Sequence, residues 1–452
     1  MKINHLYIEK AWGLKDIDID FNEPSEGYFN NAKVSLVVGE NGTGKTSILK
    51  ILSYAFFPSM FEKQKHFPYF DIRYEIGNRN FSLKSDGYVA RPSKVIVSSY
   101  AVFESFKTNF KNNIKSGSLI KKNGETEYHY CGPRGNGGIP SFQAVIHTVL
   151  EAFYNLNSNP KFNKSISLLM STIGYDGIPA IEVSLPRVLT GGNNYKRENY
   201  MRRGNFIQEE EYWDSKNLDE ERAKLKQEIE SRAVERIGKG RYIIPYEHID
   251  GFFLDTLFKF EKSTYFSKII KDLIFSRNGN GVLFSQMSSG ELTMFFRFFP
   301  LINLMQDECV ILIDEPETHL HPRWIKDYIN LIIRLFGDYN SHFIIATHSP
   351  LIAADVPQEC IIGLKRIGEN VQPYYVNEKT LGGETRDILE NVFDLENYNG
   401  SFTESKKEKI IKLLQESKVR EALELYDDLS MNAEKYKFFT EIEHLLPKYG
   451  KE

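Results

Sequence analysis

The spacing of apolar and polar positions changes period several times along the chain, and the changes outline its elements. Residues 2–22 alternate. In KDIDIDF (15–21) the isoleucines and the phenylalanine fall on one face and Asp16, Asp18 and Asp20 on the other. This is the period-two pattern of a half-buried strand, and the stretch predicts a β-hairpin. KVSLVV (33–38) is a short continuous apolar run, a buried strand leading straight into a glycine-rich turn. SILKILSYAFF (47–57) has helical apolar spacing, and residues 68–100 read as further strands ending in KVIVSSY.

Residues 101–280 have the weakest periodicity. They hold a lysine-rich stretch (105–124), the glycine-rich CGPRGNGG (131–138), a loop rich in Asn, Arg and Tyr (190–206) and a charged helix near 218–236. The apolar positions of that helix are too sparse for a sustained heptad seam, so no long coiled-coil arm is expected. From 281 the alternation returns. A helix follows SSGE (290–306), CVILI (309–313) is a buried strand, WIKDYINLIIRLF (324–336) a helix and HFIIAT (342–347) another buried strand. Such βαβ order implies a parallel sheet. RDILENVF, KKEKIIKLLQES and VREALELYDDL close the chain as helices. The expected organisation is an α/β fold in four parts. These are an N-terminal lobe (1–100), a largely helical insertion (101–280), a C-terminal lobe (281–380) and a helical tail (381–452).

Four short segments carry chemistry. Gly39-Glu40-Asn41-Gly42-Thr43-Gly44-Lys45-Thr46 fits G-x-x-x-x-G-K-[ST] and sits between a buried strand and a helix, as a phosphate-binding loop requires. Its glycines let the backbone wrap a phosphate closely and the helix N-terminus adds its dipole. Lys45 would neutralise the β and γ phosphates of ATP, Thr46 would coordinate Mg²⁺, and Ser47 is counted with the loop. Second, the strand Ile311-Leu312-Ile313 ends in Asp314-Glu315-Pro316. Asp314 suits a Mg²⁺ ligand acting through water, and Glu315 a general base for the attacking water. Third, Ser288-Ser289-Gly290-Glu291 precedes a helix. Alone it reads as a helix cap; upstream of the Asp-Glu strand it also reads as a nucleotide-contacting turn. Fourth, His348 follows a buried strand at its carboxyl end, where ligands sit in open α/β sheets, and could polarise the γ-phosphate.

In this order the four segments resemble the ABC ATPase superfamily. DEPETHLHP, THSP and SSGE resemble, within it, the branch containing RecF, Rad50/SMC and the OLD-type ATPases. The resemblance covers about residues 1–60 and 280–400. It implies an ABC-type head with Ser288, Ser289, Gly290 and Glu291 as the signature, Thr318–His321 as the D-loop and His348 as the switch histidine. It also implies ATP and Mg²⁺ as cofactors, and a homodimer or higher homo-oligomer with two ATP molecules sandwiched between heads. Two features depart from the pattern. No glutamine follows KVIVSSY, where the Q-loop belongs; Ser98-Ser99-Tyr100 stand there, and Gln143 has no strand before it. Near the N-terminus the usual Asn-Phe-Arg is replaced by Ala11-Trp12-Gly13-Leu14, where Trp12 either stacks on adenine or joins the core. LGGETRDILENVFDLENY (381–398) is similar to the tails of stand-alone antiphage-defence ATPases, the PtuA subunit of Septu and some retrons and the AriA subunit of PARIS. That similarity implies a sensor and scaffold working with a separately encoded nuclease, of HNH or Toprim type.

No Asp-x-Asp follows His348, as a Toprim nuclease would need, and Asp427-Asp428 reads as a solvated helix face. His319 and His321 are the only close histidine pair. No nuclease is therefore expected in this chain. The lysines of 105–124 and the arginines and tyrosines of 187–203 suit DNA or RNA, an acidic protein partner or plain solvation. At 452 residues with a formal net charge of -4, any nucleic-acid surface must be a local patch. Cys131, Cys309 and Cys360 lie far apart, which removes zinc spacing and a disulfide framework and fits a reducing compartment. MKINHLYIEK lacks a signal-peptide core, and FFRFFPLINLM (295–305), interrupted by Arg297 and Pro300, is too short to span a bilayer. A cytoplasmic protein without membrane contact is expected.

Overall fold

The computed structural model describes residues 1–24, 27–57, 68–84, 90–100, 106, 118–119, 126–132, 142–156, 159–185, 215–238, 240–262, 269–394, 400–430 and 433–446. The chain divides into two compact units, 1–388 and 389–452.

Strands β1 (Lys2–Ala11) and β2 (Leu14–Asp20) form the expected hairpin, with Ile17 and Ile19 buried and the three aspartates exposed. They are followed by β3 (Lys33–Gly39), α1 (Lys45–Phe56), β4 (Tyr69–Ile76) and β5 (Arg79–Lys84). A four-stranded antiparallel sheet results, in the order β2-β1-β4-β5. Next come β6 (Lys94–Ser99), β7 (Ser118–Leu119) and β8 (Glu127–Tyr130).

The insertion is more than helices. It contains α2 (Phe142–Leu156), α3 (Pro160–Thr172), β9 (Asp176–Ser184), α4 (Ser215–Arg232), β10 (Glu235–Gly238), β11 (Arg241–Ile244), α5 (Gly251–Lys262), β12 (Ile270–Arg277) and β13 (Asn280–Leu283). Its strands build a five-stranded antiparallel sheet, β10-β11-β9-β12-β13. The expectation of a largely helical insertion missed this sheet. Its strands mix Gly177, Pro179 and Glu182 among apolar residues, and all four residues of β10 are exposed, so no clean period-two signal appears. Glu182 is buried and paired with Arg241, its Oε1 accepting from Nε at 2.7 Å.

The C-terminal lobe adds α6 (Ser289–Leu304), β14 (Cys309–Asp314), α7 (Pro322–Lys326), α8 (Tyr328–Phe336), β15 (His342–Thr347), α9 (Pro350–Ala353), β16 (Ile361–Ile367) and β17 (Asn370–Tyr375). The single helix expected over 324–336 is two, broken at Asp327. An eight-stranded sheet runs β17-β16-β3-β15-β14-β6-β8-β7. Strands β3, β14 and β15 are buried along their whole length, as central parallel strands covered on both faces must be. Helix α1 fills the space between the four-stranded and the eight-stranded sheets. Its Ile48, Leu52 and Phe56 share one core with Ile8 and Ile17 of the hairpin and Leu312 and Ile344 of the large sheet. On the opposite face Phe336 of α8 stacks on Phe343 of β15, with ring centroids 5.7 Å apart. The parallel registers, Thr347 with Val38 and Asp314 with Ser99, bring the carboxyl ends of β3, β15, β14 and β6 to one edge.

Helix α10 (Thr385–Asn391) spans the boundary between the units, a few residues beyond the expected 381. The second unit holds α11 (Ser401–Gln415), α12 (Val419–Asp427) and α13 (Ala433–Ile442) around Ile410, Leu414, Ala422, Phe438 and Ile442. Asp428 is solvated and pairs with Lys406 at 3.0 Å. All three cysteines are buried and free. No helix among the described residues is long and apolar enough to cross a membrane. The basic stretches lie outside the described residues, apart from Phe106, Ser118 and Leu119.

Candidate nucleotide site

The phosphate loop leaves β3 at Gly39 and enters α1 at Lys45. Gly39 has φ 147°, and a Cβ there would stand 2.4 Å from the Leu364 carbonyl oxygen of β16. Gly44 is the N-cap of α1 at φ 92° and offers no capping side chain, so the first amides of the helix are left for an anion. Lys45 is buried and donates to the carbonyls of Gly39 at 2.7 Å and Glu40 at 2.9 Å. Burial lowers its pKa, against the opposing pull of Glu315, Asp314 and Glu317. Thr43 donates to Glu40 O at 2.8 Å, closing the turn around Asn41 and Gly42. Ser47 reaches the Trp12 carbonyl at 3.4 Å, so the hairpin tip rests on this helix start. Trp12 itself packs against the core and meets Tyr54 edge-on at 6.4 Å, which favours its core reading.

Asp314 stands at the end of β14, where the Thr46 hydroxyl donates to it at 3.0–3.1 Å. The two residues assigned to Mg²⁺ from sequence therefore meet in the fold. They also fit the ion: a hydroxyl and a carboxylate converge, and the carboxylate is almost wholly buried (1% exposed) with little to compensate its charge. Glu315 follows at φ 51°, and its amide donates to Ala346 O at 2.9 Å, fixing the turn that aims its side chain. Thr318 approaches its Oε2 at 3.5 Å.

Sequence reasoning missed four residues. Glu317 is buried, and its Oε1 accepts from Thr347 Oγ1 and the His348 amide, both at 2.8 Å, and lies 3.0 Å from His348 Nδ1. It orients His348. Arg366, on β16, donates to Gly42 O at 2.6 Å. Arg297, 1% exposed on α6, donates to Pro316 O at 2.6 Å and to Thr318 O, and lies 3.8 Å over the Tyr100 ring. The lone arginine in FFRFFPLINLM was its signal. Ser99 is register-paired with Asp314, and its buried hydroxyl has no partner among the described residues. It sits where the sequence offered no glutamine; Gln143 is on α2, its side chain outside those described.

Ser288 caps α6 in a reciprocal box. Glu291 N donates to its Oγ at 3.3 Å, and its own amide donates to Glu291 Oε2 at 2.7 Å. A Cβ on Gly290 would lie 2.9 Å from the Trp324 ring. Among the described residues no hydrogen bond joins Ser288–Glu291 to the loop 39–47. The fold gathers the loop, Asp314, Glu315 and His348, and among the described residues Ser288–Glu291 makes no hydrogen bond to them.

Asp314 gives a pH test. Burial pushes its carboxyl up to about 7; Glu315 and Glu317 add to this, while the Thr46 hydroxyl and Lys45 oppose it. Between about pH 4 and pH 7 the folded chain keeps a proton that the unfolded chain has lost, so stability falls as pH rises through that window. The loss is on the order of 4 kcal/mol. Urea unfolding should show Asp314→Asn escaping most of this decline. A gap between the two proteins that does not change with pH would contradict it.

A sequence profile described as an AAA ATPase domain matches residues 1–353. Protein ea59 of Escherichia phage lambda is 31% identical over 117 residues, 26% of this chain and 22% of that protein. "Retron Ec83 probable ATPase" of Escherichia coli is 28% identical over 158 residues, 32% of this chain and 27% of that protein. The matches thus span about a quarter of these relatives' length. The SMC head domain from Thermotoga maritima aligns with 84% of this chain and 100% of its own, at 11% identity and a TM-score of 0.36.

Proposed function

Since this chain belongs to the AAA ATPase domain family, we propose that its ATPase is the sensor and scaffold of a bacterial antiphage defence system, acting as an ATP-sandwiched homodimer that controls a separately encoded HNH or Toprim nuclease. The observation that carries the proposal is a site equipped from one side. Loop, Asp314 and Glu315 converge, while Ser288–Glu291 makes no hydrogen bond to the loop among the described residues. The similarity to a protein named as a retron ATPase supports the defence setting.

The phosphates of ATP lie along Gly39–Thr46, and Lys45 exchanges its carbonyl partners for phosphate oxygens. Mg²⁺, when bound, is held by Thr46 and Asp314 and offsets phosphate charge. Glu315 takes the proton of the attacking water as the bond to the β-phosphate bridge breaks, giving ADP and phosphate. His348, held by Glu317, polarises the γ-phosphate. The signature of a second copy closes the site.

Two measurements test this. ATPase rate per chain should rise with protein concentration; a strictly linear total rate from a proven monomer contradicts the sandwich. The chain should copurify with the nuclease encoded beside it, and finding neither neighbour nor complex would sink the defence reading. The rival, a repair ATPase clamping DNA through the basic stretches, requires salt-dependent duplex binding that strengthens with ATP.

A further inference from the structure

Glu291 has more partners than a helix cap needs. The capping box uses one acceptor position on Oε2, filled by the Ser288 amide at 2.7 Å. The same oxygen also accepts from the Tyr175 hydroxyl at 3.2 Å, and Oε1 is paired with Arg277 Nη2. Arg277 lies 4.1 Å over the Tyr175 ring and its Nε donates to Gly174 O at 3.3 Å, so guanidinium, ring and carboxylate form one closed cluster. Although burial works against it, the Ser288 amide and Arg277 hold the Glu291 carboxyl below its ordinary range.

Both extra partners come from the insertion. Tyr175 immediately precedes β9, Arg277 ends β12, and these two strands are neighbours paired at Ser276 and Asp176. Strand β12 holds the signature turn on its other flank too. Buried Asp272 accepts from the Ser285 amide at 3.3–3.4 Å and from its hydroxyl. The middle of the five-stranded sheet is therefore pinned to the turn on both sides of Met287 and Ser288.

The geometry points to Arg277, with Tyr175, as a positioning residue: it sets the signature for ATP held by a second copy and thereby couples the insertion's sheet to hydrolysis. This rests on the sandwich reading. Whatever displaces β12 displaces Glu291, and the signature is then presented or withdrawn without any change at the loop that first binds ATP. The chain's own nucleotide affinity and its turnover should therefore separate.

Arg277→Ala should lower kcat roughly tenfold, the loss expected from one charged hydrogen bond. Binding of a fluorescent ATP analogue by the same chain should be unchanged. Arg277→Lys should recover part of kcat. Tyr175→Phe, which keeps the ring and removes one donor, should give a smaller fall if the alanine variant folds poorly. Mixing Arg277→Ala with Lys45→Ala chains is decisive. Random pairing makes heterodimers with one intact composite site, and up to about a quarter of the wild-type rate should return. Equal loss of binding and turnover in Arg277→Ala overturns the inference. So does a mixture no faster than Arg277→Ala alone while Ser288→Arg mixed with Lys45→Ala revives. If that control mixture also stays dead, the sandwich reading itself falls, and the inference with it.

Discussion

Glu315→Gln is expected to leave ATP bound while steady-state hydrolysis falls by about 10²–10⁴-fold. Glutamine keeps the size of the side chain and a carbonyl oxygen for Thr318, so the turn after β14 is preserved. The backbone of that turn is over-determined. Glu315 sits at φ 51°, its amide tied to Ala346 O at 2.9 Å, and glutamine inherits the same constraint. Only the basic oxygen is lost. A filter-binding assay should show retained ATP and quenched-flow should show little product. Matched loss of both would move Glu315 from chemistry to binding. The comparison with Lys45→Ala also decides what the assembly needs. If the proposed defence activity survives Glu315→Gln and is abolished by Lys45→Ala, ATP binding alone suffices; if both abolish it, turnover is required.

The second large effect is structural. Arg297→Ala should destabilise the first unit by about 3–5 kcal/mol, the range for a large buried side chain whose loss also strands polar partners. The side chain is 1% exposed. Removing it leaves the carbonyls of Pro316 and Thr318 without a donor, and leaves a void beneath Tyr100, whose hydroxyl remains fixed to Phe296 O at 3.1 Å. Arg297→Lys should be intermediate, because an ammonium cannot fork to two carbonyls and lie flat on a ring at once. Urea midpoints read the difference, and a variant as stable as the parent would refute it. Since those carbonyls belong to the segment after Glu315, the lysine variant should also lose turnover beyond its loss of stability.

What the sequence disclosed about this site follows from how local each requirement is. Gly39 and Gly44 are needed by turns only a few residues long, and the motif records them directly. Asp314 and Glu315 end an apolar run whose burial is plain from its composition. Ser288 and Glu291 were legible as a cap, and the cap is there. Glu317 and Arg297 were not assigned, because a buried charge is explained only by partners, and theirs are Thr347, His348 and the carbonyls of Pro316 and Thr318. Tyr175 and Arg277 lay in the stretch of weakest periodicity, and their role appears only once β9 and β12 lie side by side. The five-stranded sheet escaped for the same reason. Its central strand β9 pairs antiparallel with β11 and β12 across intervening helices, and Gly177 and Pro179 interrupt the alternation that would have revealed it.

The place of β3 in the large sheet has a consequence for biogenesis. Its two neighbours are β15 and β16, so Lys33 pairs with His342 and Leu36 with Ile361. A ribosome delivers the phosphate loop early and its structural supports last. Until residues 342–367 emerge, KVSLVV is an apolar strand with both edges open, and contacts this distant in sequence close slowly. An N-terminal fragment ending before β15 would carry every residue of the phosphate loop and neither of the strands that pair with β3. Such nascent chains are natural clients for chaperones, and truncated products should aggregate rather than bind nucleotide.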